Sequence, residues 1–318
     1  MKKSSLLLIC AIIITACQPK PHSTPIIYEP SYSASLSSTP KFLLLSTASN
    51  NLQLWDLTTN TQRFQWFHGK NNEQAIDTAI SNNLRYAASL SRDSVALWSI
   101  EDGESLGWWS LPSTGQSISL ANTGALLIGL TDGSVMSLDP KSNRLIKFLG
   151  HTEKVNSVAI SDDGMLALSG ANDNQVMLWH AQTGQPIHQW PLASRVIKVS
   201  ISHDGQLAFG SDSTNQGIIW QTQSGQQLSQ LKIKRRTMNF SAARFTNDNT
   251  GLLTGTPARE IIFWRVSNGK PLANWRVSLT EHAQTKGAVV YSVAEAQNNQ
   301  VMSISSNGLL ETWSIPAQ

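Results

Sequence analysis

Between Leu149 and Trp190 apolar and polar residues alternate in four short runs, VNSVAI, MLALSGA, QVMLWH and PIHQW. A period of two over five or six residues marks a strand with one face buried. The breaks fall at Asp163-Gly164, Asn172-Asp173 and Thr183-Gly184, and these residue types tolerate the positive φ that tight turns require. The segment predicts a four-stranded antiparallel meander.

The same pattern runs through the rest of the chain. Third strands end at Trp55, Trp98, Trp179, Trp220, Trp264 and Trp313, with Leu138 in the remaining copy, at separations of 43, 40, 41, 41, 44 and 49 residues. The turn before the second strand repeats as Asn82-Asn83, Asn122-Thr123-Gly124, Asp162-Asp163-Gly164, Asp204-Gly205, Asn247-Asp248 and Asn298-Asn299. The turn after the third repeats as Thr59-Asn60, Asp102-Gly103, Ser142-Asn143, Thr183-Gly184, Ser224-Gly225 and Asn268-Gly269. Three landmarks in one register predict seven copies of one supersecondary unit.

These residues resemble a WD-repeat β-propeller, from about Pro25 to the C-terminus. The resemblance implies an all-β, seven-bladed ring. The copy from Gly150 to Trp190 is nearest the family pattern, with its Gly150-His151 pair and with Asp173 six residues before Trp179. By that likeness His151, Ser169, Asp173 and Trp179 form a structural hydrogen-bonded tetrad. The other copies are degenerate; His68-Gly69 is reversed, and only Trp55 is followed by Asp, at Asp56. The last copy lacks a fourth strand, and the spare apolar residues 26–29 (IIYE) are expected to supply it, closing the ring with an N-terminal strand and covering its weakest edge.

Ahead of the repeats, Lys2 and Lys3 precede an apolar run over Leu6 to Ile14 and a small residue, Ala16. That run is about half of the roughly 20 residues a membrane-spanning helix needs, and reads as a secretory signal over residues 1–16. Ile14-Thr15-Ala16-Cys17 resembles a bacterial lipobox, which implies that Cys17 becomes the acylated N-terminus and that residues 17–24, rich in Pro, form a tether. In a cell with two membranes, Gln18 beside it implies, by the same likeness, the outer membrane, facing the periplasm. Cys10 and Cys17 are the two cysteines of the chain, so no disulfide is expected in the mature domain.

Composition narrows the function. The chain is 40% hydrophobic and 14% charged with a net charge of +3, enough apolar content for a core and too little scattered charge to argue for nucleic acid. Its 11 Trp follow from the repeat. Trp66, Trp109, Trp190 and Trp275 also resemble the tryptophan motif of quinoprotein-type propellers, but eight blades would need a longer chain, and packing between neighbouring blades accounts for them. The seven histidines show no HExxH or paired-Cys spacing, so neither metal nor cofactor is expected. A Ser-His-Asp hydrolase at Ser169 lacks a Gly-x-Ser-x-Gly elbow, and no catalytic residue is assigned.

The densest charge is KIKRR, Lys232 to Arg236. In a propeller the loops leading into the first strands gather on one face, and Lys154, Arg195, Lys198, Arg235 and Arg236 are expected to form a basic partner-binding sector there, interrupted by Glu73, Asp77, Glu153 and Glu281. Tyr32, Ile76, Ile197 and Tyr291 align near the starts of first strands and would add apolar contacts. The expectation is a non-enzymatic scaffold for protein partners, held at a membrane by acyl chains. The alternatives are an assembly factor for outer-membrane proteins and a propeller enzyme or small-ligand binder. The last requires carboxylates, His or Asn converging at one channel mouth, and the aligned copies suggest no such ring.

Overall fold

The computed structural model describes residues 21–27, 29, 31–49, 51–69, 73–235, 238–280 and 287–316. Cys17, Arg236 and Glu281 lie outside them. The described residues form seven four-stranded antiparallel sheets and no helix. Blades 1 to 6 span Ser31–Phe67, Asp77–Ser110, Gly115–Phe148, Val155–Pro191, Val196–Gln230 and Ala242–Arg276, each a simple meander. Blade 7 takes Val290–Ala296, Gln300–Ser305 and Leu309–Ser314 from the C-terminal end and His22–Pro25 from the N-terminal end. Each first strand packs beside the next, and that of blade 7 meets that of blade 1, so a seven-bladed β-propeller closes around a central channel.

The hydrophobic core is distributed over the blade junctions. Seven buried apolar clusters each draw on two neighbouring blades. Aromatic rings bridge these junctions. Trp66 stacks on Trp98 of the next blade at 5.1 Å, Phe148 on Trp179 at 4.4 Å and Trp190 on Trp220 at 4.7 Å. Trp66 Nε1 donates to Gly103 O and Trp190 Nε1 to Gly225 O, in each case a turn of the following blade. Such a tryptophan closes a junction with both its apolar face and its N–H.

Ring closure uses different residues from those the hydropathy suggests. The closing strand is His22–Pro25, paired antiparallel with Leu309–Ser314 from His22 opposite Thr312 to Pro25 opposite Leu309. Ile26 and Ile27, expected in that strand, are buried in the core between blades 7 and 1. The physical reason is position: an outermost strand has one face in water and suits His-Ser-Thr-Pro, whereas two isoleucines gain more in the junction. Buried Glu311 pins the closing strand, accepting from Ser23 Oγ at 3.0 Å and from Ser278 N at 3.1 Å.

Two recurrent register breaks shape the blades. In blades 1, 3, 4, 5 and 7 the first strand carries an extra residue, at Tyr32, Gln116, Asn156, Ile197 and Tyr291. A bulge re-aims side chains at the strand end. The tryptophan of the third strand breaks its pairing with the outer strand in blades 1, 2, 4, 5 and 6, whereas Leu138 in blade 3 pairs without interruption. We call the mouth of the channel at the starts of the first strands the upper mouth, and the mouth beside the turns from first to second strand the lower mouth.

Candidate functional site

In blade 4 His151 precedes the first strand and is brought against the second strand and the turn that follows it. Its Nδ1 lies 2.9 Å from Asp173 Oδ2 and its Nε2 lies 2.8 Å from Ser169 Oγ; Trp179 Nε1 donates to the same Ser169 oxygen at 3.3 Å. Asp173 also accepts from Thr152 N and Gln175 N. A carboxylate only accepts, so Nδ1 carries the proton, Nε2 accepts from the Ser169 hydroxyl, and the hydroxyl oxygen accepts from tryptophan. Burial holds the His151 pKa below its ordinary value, against the opposing pull of Asp173. The distances match those of a nucleophile and its base, but Ser169 is fully buried and its oxygen is occupied by an indole N–H. The arrangement satisfies buried polar groups between strands.

A second network, absent from the sequence reading, occupies blade 2. His68, fully buried, bonds Ser89 Oγ through Nδ1 at 2.8 Å and Ser94 Oγ through Nε2 at 3.0 Å, and Trp98 Nε1 donates to Ser89 Oγ at 3.0 Å. Ser94 and Ser91 in turn donate to Glu73 Oε2. Burial lowers the His68 pKa to about 4, with Glu73 only partly opposing. The pairing of third-strand Trp with a second-strand hydroxyl was the available signal: it recurs as Trp264 to Thr254 and Trp313 to Ser303.

The expected basic sector is smaller than the sequence suggests. Arg195, just before the first strand of blade 5, is exposed on the upper face, whereas Lys232 and Lys234 are exposed but Lys232 N donates to Gly269 O, in the turn after the third strand of blade 6. Lys154 is half-buried. Arg235 is tied to Glu260, 2.6 Å from Nη2 to Oε1. Lys198 is corrected outright: it follows the bulge at Ile197 and lines the channel. Asp77, expected among the rim charges, is also in the channel, held by the N–H groups of Ile118 and Thr78 at 2.9 Å each.

The channel encloses a cavity of about 380 Å3. Tyr32, Ile76 and Tyr291 stand at the upper mouth, and Tyr291 donates its hydroxyl to Ser31 O at 2.7 Å across the closure between blades 7 and 1. Tyr32 is 42% exposed. The lower mouth overturns the expectation that no polar ring forms. Asn82 of blade 2 donates through Nδ2 to Asp162 Oδ1 of blade 4 at 2.5 Å and to His203 Nδ1 of blade 5 at 2.6 Å, and Asn122 of blade 3 donates to Asp162 Oδ2 at 3.0 Å. Arg244 of blade 6 reaches Leu36 O of blade 1 at 2.9 Å.

A family model, "WD domain, G-beta repeat", matches residues 142–180. The chain is similar to WD repeat-containing protein 18 of Rattus norvegicus, 28% identical over 123 residues, 34% of this chain and 28% of that protein. It is similar to Autophagy-related protein 16 of Arabidopsis thaliana, 24% identical over 136 residues, 42% of this chain and 27% of the relative. Small ribosomal subunit protein RACK1 of Caenorhabditis elegans is 44% identical over 43 residues, 14% of this chain and 13% of its own. The chain thus spans under a third of the length of these relatives. The chain is a seven-bladed β-propeller, and its residues 142–180 match the repeat named WD domain, G-beta repeat.

Proposed function

We propose that this protein is a non-enzymatic scaffold for protein partners, anchored in a bacterial envelope membrane by acyl chains at Cys17. The observation that carries the scaffold reading is the upper face: a closed ring whose mouth presents Tyr32 beside Tyr291 and Ile76, with Arg195 exposed on the same face. Tyr and Arg on a rigid support are the residue types that dominate binding energy at protein interfaces. The likeness to WD-repeat proteins supports the same reading. The anchor rests on the lipobox-like Ile14 to Cys17, and more than one acyl chain makes membrane attachment stable.

The test combines in-cell crosslinking with a palmitate label. The native chain is expected to take the label and Cys17→Ser to lose it and leave the membrane; a labelled Cys17→Ser chain overturns the anchor. A crosslinked partner is expected with native protein and lost from a Tyr32→Ala/Arg195→Glu variant of unchanged melting temperature. Equal capture by both removes the upper face from the proposal, and capture by neither removes the scaffold.

One observation favours a second reading, assembly of outer-membrane proteins by strand addition at blade edges. Leu106, Leu145, Ile187 and Leu228 each occupy the second place of an outermost strand in blades 2 to 5, and each is more than a third exposed. An apolar residue on an open strand edge is where an extended segment adds to a sheet.

A further inference from the structure

The channel holds two cations whose hydrogen-bonding capacity is largely unspent, and two carboxylates that accept hydrogen bonds from other groups. Lys198, third residue of the first strand of blade 5, and Arg244, third residue of that of blade 6, both line the cavity. They sit close enough that Arg244 disfavours the charge on Lys198, and burial lowers the pKa of both, that of Arg244 to about 10. Arg244 stays charged at neutral pH. Asp77 accepts two backbone N–H groups and Asp162 two side-chain amides. Neither carboxylate forms an ion pair with Lys198 or Arg244.

The donor side is the reverse. Arg244 makes one hydrogen bond, through Nη2 to Leu36 O, and its Nη1 is buried without a partner. Lys198 donates no side-chain hydrogen bond to the described residues, although it approaches Asp77 closely enough to be favoured by its charge. A buried N–H left unpaired is costly, and two neighbouring half-buried basic groups disfavour each other's charge. What this part of the cavity lacks is a hydrogen-bond acceptor for these two side chains, although Asp77 and Asp162 favour their charges.

We propose that the channel is a binding site for a small oxyanion, a phosphate or carboxylate group held between Lys198 and Arg244. The hydroxyls of Ser35, Ser119 and Ser200 line the same cavity. The site opens at the upper mouth past Tyr32, Ile76 and Tyr291, while the Asn82–Asp162–His203 bridge lies across the lower one. The cavity of about 380 Å3 exceeds a bare phosphate and suits a compact molecule with the anion as its head. An ammonium and a guanidinium on adjacent blades are a matched pair for such a group: a compact point charge beside a planar fork.

The test uses the native chain in a buffer free of oxyanions. Isothermal titration with inorganic phosphate is expected to show one saturable site, with citrate as the carboxylate arm and chloride at equal ionic strength as the blank. Preference between the first two identifies the head group. Lys198→Met leaves Asp77 held by its two N–H groups and is expected to fold; affinity should fall about tenfold or more, the value of one charge-assisted hydrogen bond. Arg244→Lys keeps the charge and loses the fork, and should weaken binding less. Selenate soaked into crystals of the native chain should give an anomalous peak in the channel between the Lys198 ammonium and the Arg244 guanidinium, a readout independent of any variant. No saturable heat with either anion, affinity unchanged in Lys198→Met, or a selenate peak outside the channel overturns the site. Partner capture does not enter these measurements, so scaffold and oxyanion site fail separately.

Discussion

Blades 2 and 4 solve one problem with different donors and acceptors. Each buries a histidine before its first strand against a second-strand serine that also receives the third-strand tryptophan N–H. In blade 4 the other ring nitrogen meets a carboxylate directly, Asp173. In blade 2 it meets the hydroxyl of Ser94, and the carboxylate of Glu73 stands one hydrogen bond further off. The contact order is inverted as well: Nδ1 faces the carboxylate in blade 4 and the second-strand serine in blade 2. Satisfying the buried ring needs an acceptor and a donor at the right distances, not one fixed side chain.

The comparison breaks most visibly at Asp173. Asp173→Ala leaves the buried His151 N–H and two backbone N–H groups without their acceptor, and urea unfolding should show a loss of about 4 kcal/mol. Serine chemistry at Ser94 is not expected to be as sensitive, because Ser91 and Glu73 remain beside it.

Acid sharpens the contrast. His68 in the folded chain has its pKa lowered from 6.5 to about 4. Between those values the unfolded chain binds the proton and the folded chain does not, so stability falls as pH drops through that window and is full above it. The loss should approach about 3 kcal/mol by pH 4, read as denaturation midpoints against pH. His68→Gln should flatten this part of the profile. The smallest effect concerns the junctions: Trp66→Phe and Trp190→Phe keep the ring stack and lose the N–H bond to Gly103 O or Gly225 O, at about 1 kcal/mol each by thermal or urea unfolding.

The repeat was legible because its landmarks are local. The turns after third strands take positive φ at Asn60, Gly103, Asn143, Gly184, Gly225 and Gly269, each in the pair the pattern names. The turns before second strands follow it less closely. Positive φ falls on Leu84 and Asn249, one residue beyond Asn82-Asn83 and Asn247-Asp248, because the Asn83 and Asp248 side chains accept the N–H two residues on. The channel was not legible. Asn82, Asp162 and His203 occupy equivalent turns of different blades and meet only across the ring, whereas aligning copies compares places within a blade. The bulge at Ile197 had the same effect on Lys198, since one inserted residue shifts what counting in twos assigns to the loop.

The direction of the closing strand fixes the side from which the chain enters the ring. His22 pairs with Thr312 and Pro25 with Leu309, so the chain enters blade 7 from the lower-mouth side and leaves it at the upper one. From Cys17 to His22 is five residues, a reach of at most about 18 Å. With the anchor proposed above, the tether would reach the rim of the ring from its Asn82–Asp162–His203 side. The open mouth at Tyr32 and Tyr291 lies at the opposite end of the channel from that point of entry.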